Sequence, residues 1–196
     1  QAIEQVNKQG AAAFIPYIMA GDGGLETLKP TILRLQALGV TAIEVGIPFT
    51  DPVADGPTIE AAGMRALAHG VTLRNILQTL TSFAEEITVP LVAMTYLNPI
   101  LAYGADEFAR DAYAAGIRGV IVPDMPFEES GIISPSLKTH NINLIQLISL
   151  TSDAARIKKL ARASEGFIYA VTLNGITGER SQFANHLAEH FATLKA

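Results

Sequence analysis

Residues 43–57 read IEVGIPFTDPVADGP. The first five residues have the pattern of a strand buried on both faces, because Ile43, Val45 and Ile47 are apolar and little polarity intervenes. Glu44 sits inside that run. A carboxylate among apolar neighbours is costly unless it is hydrogen-bonded, wet or protonated. The second half holds Pro48, Pro52 and Pro57 with Asp51 and Asp55, a stiff acidic loop. Five similar runs lie outward from this one: FIPYIMA (14–20), PLVAMTY (90–96), GVIVPDM (119–125), NLIQLIS (143–149) and GFIYAVT (166–172). Segments of helical period separate them. Leu25, Leu28, Ile32, Leu35 and Leu38 share a face that stops at Gly39, and Pro30 predicts that the helix proper starts there. Asp106 is expected to cap a helix ending at Gly116, and Ser152 one over SDAARIKKLARA.

Strand and helix alternating at this spacing predict parallel βα units. Most runs start about 23 to 29 residues apart; the longer gap from 42 to 90 holds the acidic loop and two helical patterns, about 57–68 and 72–86. A last helix is expected over about 182–195. MAGDGG is not a dinucleotide fingerprint and nothing matches a P-loop, so a nucleotide-binding doubly wound sheet fits poorly. The expected fold is a (β/α)8 TIM barrel, read as one domain over 1–196 with about six βα units; a complete barrel takes about 250 residues and eight strands. On that count strands seven and eight are absent, and a piece of a longer protein is expected, since an open barrel exposes strand edges and an apolar lumen.

Composition narrows the function. A formal charge of −5 and no basic run argue against nucleic acid. The absence of cysteine excludes disulfides and thiolate metal sites and suits a reducing cytoplasm. No apolar run approaches the roughly 20 residues of a membrane span. Barrel chemistry lies at the C-terminal ends of the strands. A Schiff-base mechanism wants a lysine there, but Lys8, Lys29, Lys138, Lys158, Lys159 and Lys195 fall on expected helices or near their ends. His69, His140, His186 and His190 lie in helical or connecting segments, and His186 and His190 read as a solvated pair rather than metal ligands. Carboxylate acid–base chemistry remains.

Glu44 shares a face with Gly46 and Pro48, opposite Ile43, Val45 and Ile47. It is either a proton-transfer group inside the barrel mouth or a buried acid locked to an arginine. By its local chemistry Asp55 reads as a turn or cap acid before the helix at Pro57, and Asp51 likewise. Asp124 is a structural strand-end acid or a support for a catalytic group.

GIPFTDPVADGP after IEV, with FIPYIMAGD upstream and MTYLNPI, VIVPDMPFEES and FIYAVTLNGITG in order downstream, resembles the tryptophan synthase α subunit family over essentially the whole chain. The resemblance implies retro-aldol cleavage of indole-3-glycerol phosphate to indole and glyceraldehyde 3-phosphate. It implies no metal or cofactor in this subunit, and a pyridoxal-phosphate β subunit as partner in an α2β2 heterotetramer, reached through an indole tunnel. By position it makes Glu44 and Asp55 catalytic. It lines the substrate with Tyr17, Ile59, Met94, Tyr96, Ile121 and Tyr169, and places Thr177 and Gly178 in a closing loop where Thr177 meets Asp55. The family's phosphate site, built after strands seven and eight, has no counterpart in this sequence. Two other readings compete: a phosphate-handling barrel isomerase, and a non-catalytic barrel serving as an interaction or allosteric subunit.

Overall fold

The computed structural model describes residues 1–149 and 152–171. Helix α1 (Ala2–Lys8) precedes β1 (Tyr17–Met19), α2 (Leu28–Ala37), β2 (Ile43–Gly46), α3 (Pro57–Ala68) and α4 (Leu73–Thr81). There follow β3 (Leu91–Met94), α5 (Leu97–Tyr103), α6 (Ala105–Ala114), β4 (Ile117–Ile121) and α7 (Ser134–Thr139). The last described elements are β5 (Asn143–Leu144), β6 (Gln146–Ser149), α8 (Ala154–Ala163) and β7 (Ile168–Val171).

Strands β1 to β5 pair in parallel in chain order, and β6 pairs with β7. Only Ile145 separates β5 from β6, and its N–H still reaches the Val120 carbonyl at 2.9 Å. The expected strand 143–149 is thus one strand with a local break, flanked by β4 on one side and β7 on the other. Six strand positions follow in the expected order.

The sheet has two distinct faces. Ile43, Val45, Leu91, Ala93, Ile117 and Val120 pack outward with Ile32, Ile76, Leu80 and Phe108 of the helices in the main core. Burying each large aliphatic side chain stabilises by roughly 1.5–3 kcal/mol. Val92, Ile121 and Ile145 form a smaller cluster on the other face with Met94, Leu147, Phe167 and Tyr169. Alternation produces this division, with a register shift in β4 that turns both Ile117 and Val120 outward.

Several boundaries differ from expectation. α2 begins at Leu28 rather than Pro30, because a proline in the first helical turn sacrifices no intrahelical bond. Leu28 and Ile32 are buried, but Leu38 lies past the helix end and is exposed. Asp106 falls inside the first turn of α6, where Gly104 is the N-cap. α8 is capped by Asp153, whose carboxylate accepts from the Arg156 N–H at 2.8 Å, and not by Ser152. β4 spans 117–121, two residues earlier than the apolar run suggested, which leaves Asp124 in the loop beyond it. The helix expected over 182–195 lies outside the described residues.

Candidate functional site

β2 is buried along its whole length, and Glu44 in its second position is only 6% exposed. Glu44 lies beside Tyr17 of β1 and Val92 of β3 in the parallel register. Val92 belongs to the inner cluster, so Glu44 faces the lumen. Among the described residues the Glu44 carboxylate has neither an ion pair nor a hydrogen bond, and none of the described arginines locks it. Burial without compensation pushes its pKa from 4.5 up to about 7. A carboxyl tuned this way exchanges a proton readily near neutral pH.

Asp55 reaches the same space from the loop after β2. It does not cap α3, whose N-cap is Gly56 without a side-chain bond. Its Oδ1 accepts a hydrogen bond from the Tyr96 hydroxyl at 3.0 Å, and that hydroxyl accepts in turn from the Ala54 N–H at 2.9 Å. Phe49 packs against the Tyr96 ring with centroids 5.4 Å apart. The Asp55 N–H bonds to the Pro52 carbonyl at 3.0 Å and the Val53 N–H to the Asp51 carbonyl at 2.9 Å. Prolines and these bonds hold the loop in one shape. Burial raises the Asp55 pKa, the Tyr96 hydrogen bond opposes this, and Glu60 adds to the rise.

Tyrosines ring the two acids. Burial, then Asp55 and Glu44, hold the Tyr17 hydroxyl well above its usual pKa. Burial pushes Tyr96 up to about 12, and burial and then Glu44 raise Tyr169. The shared field of Glu44 and Asp55 at Tyr17 shows that the loop acid and the strand acid border one space. Met94 and Ile121 are register partners between β3 and β4, and both belong to the inner cluster with Tyr169. Ile59 of α3 stands apart from that cluster. With Tyr17 it lines a cavity of about 360 Å³ between β1, α2 and α3. Thr177 and Gly178 lie outside the described residues.

Other strand-end acids are occupied structurally. Asp22 forms two 2.7 Å bonds to the Arg65 guanidinium, which hold it below the usual carboxylate range and tie the β1 loop to α3. Asp124 accepts from the N–H of Leu97, the first residue of α5, at 3.0 Å. Asp51 is exposed and accepts from the neighbouring Thr50 hydroxyl at 2.7 Å, as a turn acid does. The described lysines all lie on helices.

Gly46 is a part of the site that sequence reasoning passed over. A Cβ there would stand 1.9 Å from the Tyr17 hydroxyl oxygen and 2.5 Å from its ring carbon. The missing side chain is the seat for Tyr17. Gly46→Ala is expected to displace that ring and destabilise the fold by about 1–3 kcal/mol, read as a lower urea midpoint with an unchanged slope. Nothing local in IEVGIP signals this, since Tyr17 lies on another strand.

Parallel βα units with helices outside define a member of the (β/α)-barrel class, whose sites lie as a rule at the C-terminal ends of the strands. The sequence model of the family described as tryptophan synthase alpha chain matches residues 3–196. The chain belongs to the tryptophan synthase alpha chain family, the carbon–carbon lyases of the alpha half-reaction of tryptophan biosynthesis, which work with a beta subunit. Among its relatives, the tryptophan synthase alpha chain of Bacillus thuringiensis subsp. konkukian (strain 97-27) is 50% identical over 196 residues, covering all of this chain and 76% of its own length. That of Bacillus cereus (strain ATCC 10987 / NRS 248) is 49% identical with the same coverage. Mycobacterium tuberculosis tryptophan synthase superposes with a TM-score of 0.89 at 35% identity, over 99% of this chain and 74% of that one. The alpha subunit from Legionella pneumophila str. Paris gives 0.82 at 36% identity, over 87% of this chain and 65% of that one. The chain thus spans about three quarters of the length of the curated relatives.

Proposed function

We propose that this chain cleaves indole-3-glycerol phosphate to indole and glyceraldehyde 3-phosphate, with Glu44 as the proton shuttle and Asp55 as the partner of the indole N–H. The reading is carried by one observation: Glu44 is buried, unpaired among the described residues and tuned to about 7 in the lumen. Cleavage of the carbon–carbon bond requires a proton at the indole C3 and removal of a proton from the glycerol hydroxyl. A carboxyl with that pKa does both in turn. Positive charge develops on the indole nitrogen as C3 is protonated, and the Asp55 carboxylate stabilises it through a hydrogen bond. Tyr96 orients Asp55. Tyr17, Met94, Ile121 and Tyr169 supply an aromatic and aliphatic wall suited to a flat heterocycle, and Ile59 flanks Tyr17.

No metal or cofactor is assigned to this subunit, because the two carboxyls provide the proton transfers the cleavage needs; pyridoxal phosphate belongs to the beta subunit. The assembly proposed is an α2β2 heterotetramer in the cytoplasm. Among the described residues no helix is long and apolar enough to cross a membrane. The test is release of indole from indole-3-glycerol phosphate, with and without the beta subunit. Absence of indole in both would overturn the reading.

The partner surface includes the tip of the acidic loop. Val53 is 83% exposed between Pro52 and Asp55, an apolar side chain on a rigid loop. Val53→Asp is expected to weaken binding of the beta subunit by about tenfold, or roughly 1.4 kcal/mol, measured by calorimetry, and to leave indole release by the isolated chain unchanged.

A further inference from the structure

Glu44 accepts no hydrogen bond from a described residue, yet a donor stands beside it. Tyr17 is its register neighbour on β1, and Met19 is the neighbour of Gly46, two residues nearer the strand mouths. These four residues share the lumen face, since register partners in a parallel pair point the same way and positions alternate along each strand. The Tyr17 ring lies across the two strands. Its hydroxyl oxygen stands 1.9 Å, and its ring carbon Cζ 2.5 Å, from the point that a Cβ on Gly46 would take. The hydroxyl therefore fills the side-chain position next to Glu44 on the same face of β2, about 7 Å further along the strand. Rotamer changes of the Glu44 side chain move its carboxylate along this face.

The acceptors around this hydroxyl are unequal. Its bond in the structure goes to Met19 Sδ at 4.0 Å, and a thioether is a weak acceptor. Asp55 already accepts from Tyr96 at 3.0 Å. Glu44 is raised by burial alone, with no donor opposing the rise. The groups that face Tyr17 are Glu44 from β2, Asp55 from the loop after it, and the hydroxyls of Tyr96 and Tyr169. Tyr169 also feels Glu44, but it stands on β7, whereas β2 lies between β1 and β3. A hydrogen bond to an ionised acceptor is roughly twice as strong as one between neutral groups. As Glu44 ionises, the best acceptor for the Tyr17 hydroxyl changes from sulfur to carboxylate.

We propose that Tyr17 is a positioning residue for the proton shuttle: its hydroxyl turns from Met19 Sδ to the Glu44 carboxylate when Glu44 is ionised, and holds the base in place. This rests on the reading of Glu44 as the shuttle. The bond is strongest while Glu44 is charged and ready to take the glycerol proton. It weakens once that proton has moved to Glu44, which frees the acid to turn to the indole C3. Tyr17 keeps its own proton throughout, because burial and the two acids hold its pKa well above the usual value.

The test is an NMR titration of the Glu44 carboxyl carbon in the full chain labelled at glutamate Cδ, the signal being assigned by its loss in Glu44→Gln. Tyr17→Phe keeps the ring on Gly46 and removes only the hydroxyl. It is expected to raise the Glu44 midpoint by about one pH unit, an approximately tenfold gain in proton affinity, because the charged form loses a donor. Met19→Leu removes the competing acceptor and is expected to lower the midpoint by a smaller amount. If Tyr17→Phe does not fold, Met19→Leu still decides the matter. No rise in Tyr17→Phe, no fall in Met19→Leu, or a rise of the same size in Tyr169→Phe would each overturn the proposal. Indole release by the same preparations is a separate readout: a parent chain that releases none fails as a lyase, while the titration still decides whether Tyr17 holds Glu44.

Discussion

Glu44→Gln is expected to lower the kcat for indole release by about 10³-fold while leaving KM close to its starting value, because general acid–base transfer contributes about 10²–10⁴-fold. Glutamine keeps the shape and the hydrogen-bonding reach of the protonated acid but has no titratable proton to transfer. A drop in kcat without a rise in KM marks an interaction made in the transition state rather than in binding. The pH profile supplies a second signature: kcat/KM is expected to bend near pH 7, where Glu44 titrates, and the bend should vanish in the variant. Indole release surviving undiminished would make Glu44 structural.

The same substitution changes stability with a definite sign. In the folded chain Glu44 holds its proton up to about pH 7, whereas unfolded it releases it near 4.5. Between those values the folded state binds more protons than the unfolded state, so stability falls as pH rises through the window. Below it the acid is neutral in both states and imposes no charge-burial cost. Above it the cost is complete, about 3 kcal/mol for a shift of that size. Glu44→Gln is therefore expected to match the parent near pH 4 and to exceed it in urea resistance at pH 8.

Asp55→Asn is expected to reduce kcat/KM by about 10²–10³-fold, since it removes a full negative charge from the place where the indole nitrogen becomes positive. Tyr96→Phe keeps the charge but loses the 3.0 Å bond that aims it and the 2.9 Å bond that pins Ala54. Its expected loss is smaller, about tenfold. If Asp55 acts only through the shape of its loop, the two variants should lose activity equally. A larger loss for Asp55→Asn, measured by indole release on the same preparation, assigns it the electrostatic role.

The alternation of strand and helix was open to reading from the chain because it depends on local period. Buried strands must be apolar on both faces, so their six runs announce themselves. Element ends were read less well. Pro30, Asp106 and Ser152 each have the chemistry of a helix start, yet the helices begin at Leu28, Ala105 and Ala154. Several cap-competent residues sit near each start, and tertiary packing of Leu28 or Phe108 chooses among them.

For the site, sequence period placed Glu44 on the lumen face by excluding it from the helix-facing one. Asp55 was not decidable that way. An aspartate between prolines has the same local chemistry whether it caps α3 or faces a substrate; the partner that settles its position, Tyr96, is 41 residues away. Gly46 was silent for the same reason, because the contact that gives it meaning comes from Tyr17. By itself the sequence determined the parallel βα order, the lumen carboxylate and the likeness to one enzyme family, all of which rest on periodicity and motif. Only the tertiary structure decided which acids are paired, which stand uncompensated and which small residues make room. Those outcomes depend on groups distant in the chain meeting in a space from which water is largely excluded.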